Sequence, residues 1–413
     1  MNTEAKWKNG FLIITIGETI SEIGSYAVQF SLIWWITSKT SSPLMLAFSG
    51  LMAFLPQLLL GPFAGVWIDR LKRKTVIIFA DLFIGVVATI YAAFFLFSSP
   101  PYWSACIVLG LRATANVFYT PAVQSVIPIL VPRQDLIRAN SWIQFMQSGA
   151  LMLGPVLGAA MYAVLPLPII LLSDLAGALV ASISIGIIKI PEVKRKQHQA
   201  SNYLTELKEG FAIFLQDKKL LIVTLAAAFS MVFYMPLSSF FPLMASDYFH
   251  ASALYAGIVQ FGYAGGMMIC SIIMRKYGTI KNKLLVVQIG LFGIGLSSFF
   301  CGILPANIMA FWTYAILCTI IGASGNLYNI PYIAYMHETI PNEMQGRAFS
   351  IMNSLMSITM PLGLVVAGPI TEILGVKSWF LISGVAFVII TVLCYYLTRI
   401  QENIHKQKRG VVQ

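Results

Sequence analysis

Long apolar runs alternate with short polar segments along the whole chain. Each run is long enough to cross about 30 Å of hydrocarbon, and the runs are too long and too continuously apolar for barrel strands. A helix satisfies its own backbone hydrogen bonds in lipid, so we expect helices. Twelve are predicted, at residues 11–36, 43–68, 75–97, 102–127, 139–165, 167–188, 219–246, 252–274, 284–304, 307–335, 347–371 and 376–398.

The composition agrees with this interpretation and excludes other classes of protein. Of the 413 residues, 58% are hydrophobic and 10% are charged, whereas a soluble domain carries roughly 25% charged residues. A disordered chain would combine low hydrophobicity with high charge. Twelve spans leave chain for short loops only, so we expect an all-α membrane protein without a sizeable soluble domain.

The basic residues are distributed unevenly between the two sides of the predicted membrane. With the N-terminus inside, Lys39 and Lys377 fall outside and Arg112 lies within a span, so the other 24 of the 27 lysines and arginines face the cytoplasm. The positive-inside rule therefore predicts that both termini are cytoplasmic. The formal net charge of +11 is a topology signal, and we expect no nucleic-acid partner.

The longest polar interval divides the chain into two halves of six spans. We predict an N-terminal six-helix bundle at 1–188, a cytoplasmic linker at 189–218, a C-terminal six-helix bundle at 219–398 and a basic cytoplasmic tail at 399–413. The linker begins with the basic run 194–196, which suits anionic membrane lipids. Leu204, Leu207, Phe211 and Phe214 then recur at helical spacing. The interval is thus either an amphipathic surface helix or a plain connector.

The two halves carry an internal repeat. The segment Asn116 to Pro121 matches Asn326 to Pro331, and an offset of 209 also superposes Gly154 on Gly363. Spans four and five therefore correspond to spans ten and eleven. Two six-helix halves of the same orientation around a central site form the architecture that alternating access requires.

Several motifs resemble those of one transporter family. The segment Gly65 to Lys74 resembles the loop-2/3 signature of the major facilitator superfamily, and Leu111 with Arg112 resembles its fourth-span arginine motif. The segment Gly149 to Gly158 is similar to its antiporter motif, and Phe233 to Pro242 resembles the macrolide-efflux branch. The resemblance implies two pseudo-symmetric bundles (the MFS fold), a transporter rather than an enzyme, and the cytoplasmic membrane of a bacterium.

The resemblance also implies roles for two motifs. A cytoplasmic gate would latch the end of span two against span eleven, and it comprises Gly65, Asp69, Arg70, Arg73 and Arg347. The alternative is that these basic residues only orient the protein in the membrane. The antiporter motif comprises Gly149, Gly154, Pro155 and Gly158, and it is typical of exporters. Its alternative is a helix-packing kink.

Charged residues within the predicted spans are candidates for proton coupling, since each costs at least about 2.5–3.5 kcal/mol at a helix centre. Glu18 and Glu22 lie four residues apart, on one face of span one. Arg112 lies at similar depth in span four, and we expect it to pair with Glu22. Asp81 and Asp174 are further candidates that lie closer to the interface. A purely structural buried ion pair is the alternative.

Aromatic and polar residues at helical spacing predict the substrate cavity. A large amphipathic molecule suits broad apolar walls with few polar groups. The predicted residues are Tyr26, Gln29, Asn116, Tyr119, Gln144, Gln147, Tyr234, Ser238, Gln260, Tyr263, Tyr328 and Asn329. The alternative is that many of them only pack helices together.

The remaining chemistry points to transport driven by an ion gradient. The sequence has no phosphate-binding loop for ATP and no metal-ligand motif, so we expect neither cofactor nor metal. One proton crossing about 100 mV supplies about 2.3 kcal/mol. We predict a monomeric, proton-coupled exporter of amphipathic drugs, with macrolide antibiotics as candidate substrates, and we expect it to contact membrane lipids. The alternatives are an exporter or symporter of an endogenous metabolite or lipid and, more remotely, a non-transporting sensor or scaffold.

Overall fold

The computed structural model describes residues 3–132, 136–188, 211, 214–215, 217–277, 282–340 and 342–410. In these ranges the regular structure is helical, with twelve helices long and apolar enough to cross a membrane, as predicted. The helices are α1 Thr3–Thr40, α2 Pro43–Arg70, α3 Arg73–Phe97, α4 Trp103–Leu130, α5 Leu136–Val164, α6 Leu167–Ile187, α7 Lys218–Ser239, α8 Ala253–Tyr277, α9 Lys283–Ile303, α10 Ile308–Thr339, α11 Asn342–Leu374 and α12 Val376–Gly410.

The seventh span, Lys218–Tyr248, agrees with the run predicted at 219–246, but it changes from α-helix to π-helix before its end. Helix α7 ends before Phe240, and a single turn, Phe241–Leu243, leads into the π-helix Met244–Tyr248. Pro242 has no backbone N–H to continue the hydrogen-bond ladder. The wider turn is closed by Phe249, whose amide donates to the Met244 carbonyl over 3.2 Å.

The chain divides into two compact units. The first comprises Met1–Lys194 with Phe241–Phe261, and the second comprises Arg195–Phe240 with Gly262–Gln413. The seventh span therefore contributes to both units. Of the predicted amphipathic linker, Leu204 and Leu207 lie outside the described residues.

In the first unit α1 lies centrally. It packs on α5 and α6, α3 packs on α4 and α6, and α2 packs on α4. The segment 241–248 also packs on α1. A Cβ atom added at Gly257 of α8 would lie 2.7 Å from Ala159 of α5.

Glycines set the approach of α5 to α1. A Cβ atom at Gly158 would collide with the Ala27 carbonyl oxygen and would lie 2.9 Å from the Ala27 Cα. One at Gly154 would collide with Tyr26. The backbones therefore meet with no side chain between them, which is how helices approach most closely within a membrane.

The second unit uses the repeated glycine in the same way. In this unit α9 packs on α10 and α12, and α7 packs on α11 and α12. A Cβ atom at Gly363 of α11 would collide with the Val232 carbonyl oxygen of α7. The sequence repeat of Gly154 and Gly363 therefore has a counterpart in packing, since each glycine contacts the first long helix of its own unit.

Candidate functional site

One face of α1 forms the wall of a cavity in the first unit, which we call the Glu18 cavity. Its volume is about 470 Å³, and α1 contributes Phe11, Thr15, Glu18, Thr19 and Glu22. Positions 11, 15, 18 and 22 are three or four residues apart, and Thr19 lies four residues after Thr15, so they share one broad helix face. The opposite wall comes from α4 and α5 and is mostly apolar. A volume of this order is within the range of small-molecule sites.

A second cavity lies in the same unit, and we call it the Arg112 cavity. Its volume is about 340 Å³, and its lining includes Asp81, Arg112, Asn116 and Gln57. Glu22, Tyr119 and Thr120 line both cavities. Glu22 is half-buried and lines the Glu18 cavity together with Gln147.

Glu18 and Asp81 are buried carboxyl groups with unused hydrogen-bonding capacity. The exposed fraction is 7% for Glu18 and 4% for Asp81. Among the described residues, neither carboxyl oxygen of Glu18 has a hydrogen-bond partner, and Asp81 Oδ2 has none. Glu18 lies within electrostatic range of both Asp81 and Glu22. A buried carboxylate without a partner is costly, and a second one beside it adds repulsion.

The predicted pairing of Arg112 with Glu22 is wrong. Arg112 of α4 forms a buried ion pair with Asp174 of α6. Ser25 of α1 ties the two together, because its hydroxyl donates to Asp174 Oδ1 over 2.9 Å and its carbonyl accepts from Arg112 Nη2 over 2.9 Å. Asp174 is therefore the partner of Arg112, although the sequence analysis placed it among the further candidates only.

Close packing of α1 on α6 explains this choice of partner. A Cβ atom at Gly177 of α6 would lie 3.1 Å from Ser21 Cα, and one at Gly24 of α1 would lie 3.5 Å from the Ser173 carbonyl. The two backbones thus bring Asp174 directly against Ser25. The sequence shows both charges, but it does not show which helices approach each other this closely.

The predicted substrate-cavity residues separate by unit. In the first unit Tyr26, Gln29, Asn116 and Tyr119 line the Arg112 cavity, and Gln147 lines the Glu18 cavity. The side chain of Gln144 lies outside the described residues. Sequence reasoning missed Thr15 and Thr19, although their spacing relative to Glu18 and Glu22 places them on the same helix face.

In the second unit three of the predicted residues, Tyr234, Tyr263 and Tyr328, belong to a group of interior tyrosines. The hydroxyls of Tyr234 and Tyr263 are 2.5 Å apart, and Tyr328 stacks on Tyr332 with ring centroids 5.7 Å apart. Tyr332 donates to Thr224 over 3.0 Å. The Ser238 hydroxyl donates to its own helix, Asn329 is exposed, and Gln260 belongs to the first unit.

The gate motif is described only in part. Gly65, Asp69, Arg70 and Arg347 lie in helices, but their side chains are outside the described residues, while Arg73 begins α3. Next to this motif, Lys74 donates to the carbonyls of Gly186 and Ile188 over 2.6 and 3.0 Å. Lys74 thus caps the C-terminal end of α6, a role that the sequence analysis missed.

The antiporter motif contributes helix packing. Gly154 and Gly158 face α1, Pro155 lies inside α5, and a Cβ atom at Gly149 would meet nothing within 4 Å. This supports the packing interpretation of two of the glycines. A role of the motif in the direction of transport stays a prediction.

Comparison with known proteins identifies the family. The model of the Major Facilitator Superfamily matches residues 14–359 and 283–411. The fold is similar to that of the nucleoside transporter NupG (D323A mutant), with a TM-score of 0.75 and 12% identity over 94% of this chain and 99% of that one. It is also similar to a bacterial homologue of the lysosomal transporter Spinster, with a TM-score of 0.69 and 16% identity over 95% and 97%. The chain belongs to the Major Facilitator Superfamily.

Several relatives within the family are named for efflux. The chain is 33% identical to Macrolide efflux protein A of Streptococcus pyogenes over 397 residues, which are 96% of this chain and 98% of that protein. It is 24% identical to the Multidrug efflux pump Tap of Mycolicibacterium fortuitum over 383 residues, or 89% and 91%. These findings confirm the resemblance seen in the sequence. The protein is a multi-pass membrane transporter of small molecules.

Proposed function

We propose that this transporter exports amphipathic drugs, with 14-membered macrolides as the first to test, in exchange for protons. The similarity to Macrolide efflux protein A over nearly the full length of both chains supports the substrate class. The acidic cavities of the first unit support the coupling ion. The bacterial relatives support a bacterial cytoplasmic membrane, and the charge asymmetry supports cytoplasmic termini. Its other partners are then protons and membrane lipids, and the working unit is a monomer.

The observation that carries proton coupling is the buried pair Glu18 and Asp81. Both carboxyls have oxygens without a partner among the described residues, and their charges interact. The guanidinium of Arg112 does not balance them, because it is paired with Asp174. A bound proton removes one negative charge and supplies a hydrogen-bond donor. Glu18, Glu22 and Asp81 are therefore the proposed proton carriers, while Arg112 and Asp174 hold α4, α1 and α6 in register.

Transport by purified protein in liposomes tests this assignment. Glu18→Gln and Asp81→Asn each remove one titratable group with almost no change in volume. We expect an imposed pH gradient to drive macrolide transport by the unmodified protein but not by either variant. Glu372→Gln is the control, since Glu372 is an exposed carboxylate near the end of α11.

Three results would contradict the proposal. Gradient-driven transport at the unmodified rate in both variants would exclude these groups as proton carriers. A pump-deficient bacterial host that expresses this protein is then tested against a panel of antibiotics. If its sensitivity is unchanged while expression is confirmed, drugs are excluded as substrates. Uptake of the substrate instead of its export, in the liposome assay, would indicate a symporter.

Disruption of the gate is tested separately. The family resemblance implies that Asp69 latches the end of α2, so Asp69→Asn should slow turnover more than it weakens substrate binding. If the Asp69→Asn variant turns over at the unmodified rate, Asp69 has no role in the gate. The comparison of binding with turnover separates this role from a general loss of folded protein.

A further inference from the structure

We propose that the Arg112 cavity holds a subsite for a neutral, hydroxyl-rich group of the transported molecule, such as a glycosyl unit. The subsite is formed by the side-chain amides of Gln29, Gln57 and Asn116. The inference rests on the proposed function, because it names a chemical group that the exported molecule should carry. It concerns binding, which can be measured without any gradient.

Three helices bring side-chain amides to this cavity. Gln29 belongs to α1, Gln57 to α2 and Asn116 to α4, and all three line the Arg112 cavity. Gln57 is the one that the sequence analysis missed. Each amide offers two N–H donors and one carbonyl acceptor. Hydroxyl groups both donate and accept, so a ring that carries several hydroxyls can pair with all three amides, whereas an apolar surface can pair with none.

The internal repeat provides a counterpart of Asn116 that has a packing role. Asn326, which the repeat pairs with Asn116, lies in α10 of the second unit. Its side-chain amide donates to the Met267 carbonyl over 2.8 Å and to Ser271 Oγ over 2.9 Å. Both acceptors belong to α8, so this asparagine holds α10 on α8.

The first unit lacks the hydroxyl that accepts from this asparagine. The offset of 210 that relates the two asparagines also relates Gln57 to Met267 and Gly61 to Ser271. A Cβ atom added at Gly61 would lie 3.3 Å from Gln57 Nε2, so the amide of Gln57 lies beside the position where the second unit has its hydroxyl. Asn116 is exposed and lines the cavity. The amides that correspond to a helix contact in the second unit thus face a cavity in the first.

The charged groups of the Arg112 cavity are compatible with a neutral ligand. The guanidinium of Arg112 is paired with Asp174, so it is not free to bind an anion. Asp81 and Glu22, which also line the cavity, are proposed proton carriers. A hydroxyl can donate to an ionised carboxyl and accept from a protonated one, so a hydroxyl-rich group can be bound in both protonation states.

The two cavities suit different parts of one amphipathic molecule. The Glu18 cavity has a mostly apolar wall from α4 and α5, which suits an apolar body. The Arg112 cavity, of about 340 Å³, combines the amides with the rings of Tyr26 and Tyr119, which can cover the apolar face of a sugar ring. Tyr119 and Thr120 line both cavities, so one molecule can extend from one cavity into the other.

The test compares ligands that differ by one neutral sugar. Equilibrium binding to the purified full-length protein is measured at one fixed pH, in a detergent without a sugar head group. The first pair is a 14-membered macrolide and the same macrolide without its neutral sugar; both keep the amino sugar and therefore the same charge. A flavonoid glucoside and its aglycone form a second pair. The protein variants are Gln29→Met, Gln57→Met and Asn116→Leu, each of which removes an amide with little change in volume.

The internal repeat also supplies a matched control. Asn326→Leu removes the amide that bonds α8, so it should lower the free energy of unfolding and leave the ratio of the two affinities unchanged. Asn116→Leu should do the reverse. Glu372→Gln, at an exposed carboxylate near the end of α11, is a second control for binding and should change neither quantity.

We expect the unmodified protein to bind the glycosylated member of each pair at least about tenfold more tightly. Each amide variant should reduce that ratio by about two- to tenfold, the effect of one lost hydrogen bond. A ratio that persists in all three amide variants, or an equal loss of affinity for both members of a pair, would overturn the proposal. So would an equal loss of stability in Asn116→Leu and Asn326→Leu, since the first amide would then be a packing group as well.

The two proposals fail in different ways. If neither macrolide binds but the flavonoid pair shows a preference that depends on the three amides, the macrolide part of the proposed function is wrong and the subsite stands. If the unmodified protein shows no preference for the glycosylated member of either pair, the subsite is wrong, whatever is exported and whichever ion drives export.

Discussion

Removing one member of the Arg112–Asp174 pair should be far more damaging than removing a surface charge. Asp174→Asn keeps the shape of the side chain but leaves the guanidinium of Arg112 buried without a counter-ion. The exposed fraction is 5% for Arg112 and 2% for Asp174, so water cannot compensate. Breaking a buried pair in this way costs about 3–5 kcal/mol. The ratio of folded to unfolded protein should therefore fall by a factor of roughly 100 or more.

A double-mutant cycle separates the pair from its surroundings. Arg112→Gln, Asp174→Asn and the combined variant are unfolded by denaturant in mixed micelles, and the free energies of unfolding are compared. We expect the combined variant to be more stable than either single one, with a coupling energy of at least about 2 kcal/mol, because it buries no isolated charge.

An exposed ion pair in the second unit is the matched control. Lys283 and Glu338 lie 2.8 Å apart, but the side chain of Glu338 is 64% exposed. Glu338→Gln should cost less than about 1 kcal/mol. If Asp174→Asn costs as little as this control, or if the two single effects simply add, the reasoning about a buried and mutually dependent pair is refuted.

Three further predictions follow from helix contacts. Gly158→Ala should lower the yield of folded protein in detergent chromatography, because the new methyl group would collide with the α1 backbone; Gly149→Ala, where a Cβ meets nothing within 4 Å, should leave the yield unchanged. Tyr234→Phe should reduce the free energy of unfolding by about 1 kcal/mol, and adding Tyr263→Phe should cost little more, since one hydrogen bond is lost in both cases. Lys74→Met should also cost about 1 kcal/mol by uncapping α6, and an unchanged denaturation midpoint would show that the cap is dispensable.

The twelve helices could be predicted because the length of an apolar run is a local property of the chain. The change of helix type near Pro242 could not be predicted from the proline alone, since Pro155, Pro331 and Pro361 lie inside continuous helices. The common face of Glu18 and Glu22, by contrast, follows from their spacing of four residues. The structure places both on the wall of one cavity.

The partner of Arg112 could not be predicted in this way. Four carboxylates within the predicted spans were available, those of Glu18, Glu22, Asp81 and Asp174. The choice depends on the backbone approach of α1 and α6 at Gly24 and Gly177, which involves residues more than 100 positions apart. No pattern along one helix contains that information.

The division of the seventh span between the two units has a consequence for the order of synthesis. Residues 241–261 pack with α1 and α5, so the first unit is incomplete when its sixth helix leaves the ribosome. Roughly 70 more residues must be translated, which takes several seconds at about 5–20 residues per second. During that time the nascent first unit exposes the faces that this segment will cover. A chaperone or insertase that shields α1 and α5 would have its effect in this interval, and ribosome pausing within it would lengthen the exposure.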